Sequence, residues 1–177
     1  AYRSELLSLA IYDLTQASVQ DGLPNVAAAL AELAGAAIDI GLDVAKRELL
    51  STTEFGTFSQ FEIDHTDLSV IAMGKCGARE LNYISDVDVI FVAASRSEDL
   101  ESNRAVEVAT KLATRMMRAM DGTASEPMLW QVDPNLRPEG KSGALVRTLE
   151  SHVAYYDRWA QSWEFQALLK ARPLAGS

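Results

Sequence analysis

The chain has 177 residues, 16 of them Lys or Arg and 25 Asp or Glu, for a formal net charge of −9, and 48% of it is apolar. That size suits one domain or a catalytic core with a helical appendage, and the apolar content is ample for a buried core. The acidic balance disfavours a nucleic-acid partner, no stretch reads as long and uncharged enough to cross a bilayer, and a single Cys excludes an intrachain disulfide and fits the reducing cytoplasm.

Residues 2–20 place Leu6, Leu9, Ala10, Asp13 and Leu14 at helical spacing. The opening lacks an initiator Met and a basic n-region and starts inside a helical pattern, so the chain is expected to be a piece of a longer one. Asp21-Gly22 is expected to end this helix, with Pro24 in the first turn of the next. Residues 25–50 then space Leu30, Leu33, Ala37, Ile40, Val44 and Leu49 for one long buried face. Acid concentrates early: residues 1–67 carry three basic against eleven acidic side chains, residues 128–177 six against five. Residues 51–67 read as a polar connector. Its Asp64, His65 and Asp67 lack further ligands at a supporting spacing, so a solvated loop is expected there.

The stretch from Leu68 to Val92 organises the chain. An apolar run of strand length, Leu68 to Met73, leads into the small-residue turn Gly74-Lys75-Cys76-Gly77. A short segment of helical composition follows, Ala78 to Asn82, then a second apolar run, Val87 to Val92. Asp86 and Asp88 stand at the mouth of that run, and residues i and i+2 of a strand face one way. Two carboxylates that close in a half-buried strand repel unless a cation lies between them.

Beyond a loop at 93–102, a helix is expected from Asn103 to Met120, with Ala105, Val108, Ala109, Leu112, Met116 and Met120 on its core face. Asp121-Gly122 stops it, and TASEP (123–127) reads as a turn. Met128 to Leu136 reads as a third strand, with Leu129, Gln131 and Asp133 on one face. A buried acid needs a partner, and a cation shared with Asp86 and Asp88 would provide one. The loop from Asn135 to Gly143 carries Arg137, Lys141 and two glycines, suited to anionic oxygen. Ala144 to Val146 reads as a short strand, and 149–171 as one or two helices anchored on a core by Trp159 and Trp163 and stopped by Pro173.

Three carboxylates beside a glycine turn suit divalent cations that clamp the entering and leaving oxygens of an in-line displacement at phosphorus. Carboxylate plus phosphate oxygen is the shell Mg²⁺ prefers. The turn offers backbone N–H groups and the Lys75 ammonium to phosphate, without the Walker pattern.

The spacing Gly74-Lys75, Asp86-x-Asp88 and a later Asp133 resembles the DNA polymerase beta-type nucleotidyltransferase superfamily. More narrowly, AMGKCGARELNYISDVDVIF, VDPNLRPEGKSGALV and YYDRWAQSWEFQALLKARPLAG resemble the glutamine synthetase adenylyltransferase family, the last as its closing helix. The resemblance implies an α+β fold: a polymerase beta-like mixed sheet flanked by helices, with an amino-terminal helical segment. It implies a helical segment and connector over 1–67, a catalytic core over 68–148, and closing helices over 149–177 that lead into a further helical region.

Carried over by residue, Asp86 and Asp88 would be catalytic metal ligands for Mg²⁺, with Asp133 completing the site. Gly74, Lys75 and Ser85 would contact phosphate, while Arg137 and Lys141 would counter developing charge. Glutamine synthetase is the implied protein substrate, with ADP or ATP and phosphate as small ligands and the PII signal protein as a candidate regulator. Family members pair a half that removes AMP from a tyrosine by phosphorolysis with one that adds AMP from ATP. Met73, Asn82 and Tyr155-Tyr156 look like the removing half, and the AREL and NLRPEGKSG wording looks actinobacterial. Cys76 and Ala78 depart from the usual Leu or Thr and Gly, and Cys76 reads as a loop filler. The rival readings are the adding half, a silent nucleotide-sensing module, and a helical scaffold whose Asp-x-Asp is an exposed strand end.

Overall fold

A computed structural model describes residues 2–51, 58–122 and 127–177. Two helices open the chain, α1 (Tyr2–Leu14) and α2 (Val19–Ser51). The break between them falls at 15–18, not at Asp21-Gly22. There the Thr15 hydroxyl and the Gln16 side-chain amide both donate to the Tyr12 carbonyl, a local alternative to continuing the helix. By Gly22, whose N–H donates to the Ser18 carbonyl at 3.2 Å, the second helix is already formed, so Pro24 lies inside it beyond the first turn.

The buried face of α2 is also rotated from the expected one. Val26, Leu30, Ala34, Ile38, Ala45 and Leu49 are buried, whereas Ile40 is 65% exposed and Val44 also faces out. Alanine on every side leaves the periodicity ambiguous, and close approach decides it: Leu174 packs against Gly35, and Met116 against Gly41. Contrary to the sequence expectation, Gly22–Ser51 is long and apolar enough by composition to cross a membrane. Its buried side belongs to the same core cluster as the sheet residues, which is how a core helix passes that test.

Residues 52–57 of the expected connector lie outside the described residues, as do 123–126 of the expected TASEP turn. The rest of the connector forms α3 (Gln60–Asp64), which begins with a reciprocal Ser59–Glu62 capping box. Then come β1 (Thr66–Ala72), the single-turn α4 (Gly74–Gly77), β2 (Val87–Ser95) and α5 (Ser102–Met120). The chain continues through β3 (Val132–Asp133), a 3-10 turn at Gly140–Ser142, β4 (Val146–Thr148), α6 (Leu149–Arg158), α7 (Ser162–Leu168) and β5 (Arg172–Gly176).

The strands form one mixed sheet in the order β3-β2-β1-β5, with β4 also pairing β2. β1 runs antiparallel to β2 and β5, while β3 and β4 run parallel to β2. Val70, Val87, Val89 and Phe91 from the sheet share a core with Ile38 of α2 and with Val108, Leu112 and Met116 of α5. This is the α+β arrangement implied by the resemblance, with helices flanking a mixed sheet.

Four local expectations change. The helical turn forms on Gly74–Gly77, and Ala78 to Asn82 is not helical, because Arg79 takes a left-handed φ of 60° and turns the chain out. The third strand shrinks to two residues, since Val132 and Asp133 alone pair with β2. Trp159 and Trp163 do not share a helix: α6 ends before the first, and they are 71% and 54% exposed instead of anchoring the core. The segment after α7 is no terminator but the edge strand β5, where Pro173, opposite Ile71, is tolerated.

Candidate active site

The carboxylates meet because of strand register. Asp133 on β3 pairs directly with Asp88 on β2, and Asp86 lies just before β2 begins. Ligand oxygens of Asp86, Asp88 and Asp133 lie within 4.8 Å of one another, the one such acidic group found among the described residues. Asp133 is further fixed by the Asn135 N–H, which donates to its Oδ1 at 2.8 Å.

The glycine turn is built against the same point. The Met73 N–H donates to the Asp88 carbonyl at 2.8 Å, tying the end of β1 to the start of β2. Gly74 has φ +51°, and a Cβ there would overlap Asp88 Oδ2, so glycine is needed for both reasons. Asp88 is held above the usual carboxylate range, first by burial and then by Asp86 and Asp133, while Lys75 pulls the other way. Such a half-buried, mutually repelling set of oxygen donors fits Mg²⁺ or Mn²⁺.

Lys75, Ser85 and Asp86 line one pocket of about 370 Å³ with Tyr83, Ile84, Trp130 and Gln131. Arg137 and Lys141 are not among its lining residues. The Arg137 guanidinium instead donates to the carbonyls of Pro134 (2.9 Å), Gly143 (3.2 Å) and Lys141 (3.3 Å), fixing the loop that follows Asp133. Lys141 is exposed on the 3-10 turn. The same loop is pinned from outside, where Arg147 pairs with Glu139 and lies over the Tyr155 ring, whose hydroxyl donates to buried Glu164 at 2.8 Å.

Cys76 is buried and its thiol is pushed up to about 11, chiefly by burial, in keeping with a filler role. The connector trio also resolves into ordinary contacts. Asp64 pairs with Lys46 at 3.0 Å, His65 Nδ1 bonds the Phe61 carbonyl at 2.9 Å, and Asp67 pairs with Arg96.

Sequence reasoning placed Gly77 in the small-residue turn without seeing what packs behind it, and missed Arg172 there. A Cβ on Gly77 would overlap the Lys170 carbonyl, and Arg172 donates to the Cys76 and Gly77 carbonyls at 3.3 Å each. The one available signal was Arg-Pro followed by small residues near the end of the chain, which reads equally well as a helix stop.

Residues 2–177 match the family model described as glutamate-ammonia ligase adenylyltransferase. The chain is 55% identical, over 99% of its own length and 17% of the relative, to a bifunctional glutamine synthetase adenylyltransferase/adenylyl-removing enzyme of Leifsonia xyli subsp. xyli. Identically described relatives from Streptomyces coelicolor and Mycolicibacterium smegmatis are 51% and 50% identical, each over 99% of this chain and 16% of the relative. The chain therefore spans about a sixth of the length of these relatives.

Proposed function

Because the chain belongs to the glutamate-ammonia ligase adenylyltransferase family, we propose that it is a metal-dependent nucleotidyltransferase core acting on glutamine synthetase. Within that activity we assign it to removal, in which orthophosphate displaces AMP from adenylyl-tyrosine to give ADP. The single observation that carries the catalytic reading is the convergence of Asp86, Asp88 and Asp133 within 4.8 Å, beside Gly74 and Lys75. A helical scaffold would not need this costly gathering of like charge, and a silent sensing module would be expected to have lost one of the acids. Removal is favoured over addition by Met73, Asn82 and Tyr155-Tyr156.

In this reading Asp86, Asp88 and Asp133 hold Mg²⁺, which when bound polarises the phosphoryl oxygens and offsets their charge. Lys75 and Ser85 bind and orient phosphate in the pocket they share with Asp86. An oxygen of orthophosphate attacks the α-phosphorus, the bond to the tyrosyl oxygen breaks, and the tyrosine takes up a proton as it leaves. Orthophosphate is already anionic near neutrality, so Asp133 serves mainly as a ligand and its bond from the Asn135 N–H keeps it oriented. In the reverse, adding sense a tyrosine hydroxyl of pKa about 10 must lose its proton, and Asp133 would then matter as a base. Arg137 holds the loop beyond Asp133 and Lys141 is exposed on it, so charge compensation there would require the loop to close on the substrate.

The test is incubation with adenylylated glutamine synthetase, Mg²⁺ and phosphate. ADP formation that Asp86→Asn abolishes supports removal. Labelling of unmodified glutamine synthetase from ATP, without ADP release from the modified form, assigns the chain to addition instead.

A further inference from the structure

The turn that carries Gly74 and Lys75 is a single helical turn, too short to hold itself, since a helix gains stability only as turns accumulate. Its own backbone bonds close it only on itself: the Gly77 N–H donates to the Met73 carbonyl at 2.8 Å, Ala78 to Gly74 at 3.2 Å, Arg79 to Cys76 at 3.2 Å and Glu80 to Lys75 at 2.8 Å, while the Met73 N–H bond to the Asp88 carbonyl ties down its entry alone. Yet Gly74 must stay against Asp88 with no room for a Cβ, and Lys75 must keep its place in the pocket wall. Something outside the turn therefore fixes it.

That support comes from the far end of the chain. Arg172, opposite Ala72 on β5, reaches behind the turn and donates Nε to the Gly77 carbonyl and Nη2 to the Cys76 carbonyl, both at 3.3 Å. One planar guanidinium thereby binds two adjacent carbonyls, that of Cys76 also accepting the Arg79 N–H, in a fork that an ammonium cannot reproduce. Around it, Glu32 of α2 lies 3.6 Å from the Arg172 guanidinium and 3.0 Å from that of Arg79, the residue at which the chain leaves the turn. Lys170 pairs with Glu80 at 2.9 Å, and its carbonyl occupies the space left by the missing side chain of Gly77.

We propose that Arg172 is a positioning residue, a guanidinium brace that holds the Gly74–Gly77 turn against Asp88 and so sets where Lys75 meets a nucleotide's phosphates. It rests on the nucleotidyltransferase reading above for its ligand, though not for its geometry. Asp88 and Asp133 are placed by the β2–β3 register, in which Arg172 takes no part, so loss of the brace should affect phosphate affinity more than metal affinity.

The experiment uses the chain's single cysteine as a reporter, because Cys76 lies buried inside the turn. Thiol labelling rates, measured well below the unfolding temperature, are combined with titrations of Mn²⁺ alone and of ADP at saturating Mn²⁺. Arg172→Met is expected to speed labelling at least about tenfold and weaken ADP about tenfold, while Mn²⁺ affinity stays within about twofold. Arg172→Lys keeps the charge without the fork and should move in the same direction by several-fold, which also serves should Arg172→Met fail to fold. Labelling and ADP affinity within about twofold of the parent overturn the brace. So does a lowered melting temperature with unchanged ligand affinity, which marks Arg172 as merely structural, and so does an Arg172→Lys variant equal to the parent. If the parent itself does not bind ADP with Mn²⁺, the nucleotidyltransferase reading falls, and the labelling contrast still decides the brace.

Discussion

Replacing Asp88 by Asn should make the metal-free chain more stable while removing its response to divalent cations. Ligand oxygens of the three acids lie within 4.8 Å of one another. A pair of unit charges at that separation costs about 0.9 kcal/mol in water and about 3.5 kcal/mol at an effective dielectric near 20. Asp86 is exposed and the other two are half-buried, so about 1 kcal/mol per pair is a suitable figure, and Asp88 faces two such neighbours. Relief of about 2 kcal/mol corresponds to a rise of roughly 4–8 °C in melting temperature for a chain of this size. The pH dependence has a definite sign. The pKa of Asp88 is raised on folding, so the stability linked to it is fully present below the unfolded value of about 3.9 and is lost as pH rises through the folded value. The advantage of Asn should therefore be largest near neutrality and vanish in acid. Calorimetry of parent and variant from pH 4 to 7, with and without 5 mM Mn²⁺ as about a saturating dose, reads both effects. A variant no more stable than the parent at pH 7, or one that Mn²⁺ stabilises equally, would refute the electrostatic account of the site.

Gly74→Ala should weaken Mn²⁺ binding by more than about tenfold and cost roughly 1–3 kcal/mol, because its Cβ meets Asp88 at a left-handed φ; isothermal titration and urea unfolding read these together. Ile38→Ala should cost about 2–4 kcal/mol in urea unfolding, while Ile40→Ala stays within about 0.5 kcal/mol, since the first is fully buried and the second 65% exposed. Equal costs would contradict the assigned face of α2. Glu62, whose bond from Arg104 and capping bond from Ser59 hold it at about 2, contributes stability that is present above its unfolded pKa and lost as pH falls towards 2. Glu62→Gln should accordingly cost about 1 kcal/mol at pH 7, after allowance for solvent screening, with the difference fading in acid unfolding curves below about pH 4.

The central unit was legible because its signals are local and agree with one another. An apolar run, a glycine turn, Asp-x-Asp and a second apolar run fix β1, the turn and β2 wherever the rest of the chain lies. The core face of α5 was equally legible, since Ala105, Val108, Leu112 and Met116 repeat at helical spacing against a polar remainder. In α2 the same kind of reasoning chose Ile40 and Val44 over Ile38, because a helix apolar on most sides has no single stripe to read.

By itself the sequence determined the residue types on which the proposed chemistry rests: three aspartates, a glycine, a lysine and a serine, in an order that fits metal-assisted phosphoryl displacement. Only tertiary structure decided that Asp133 stands opposite Asp88, that Arg137 is occupied with its own loop, and that the last residues return as β5 behind the turn. These are contacts across long separations, such as Arg172 to Cys76. Their register is set by which strands pair and how closely backbones approach, and no local propensity carries that information.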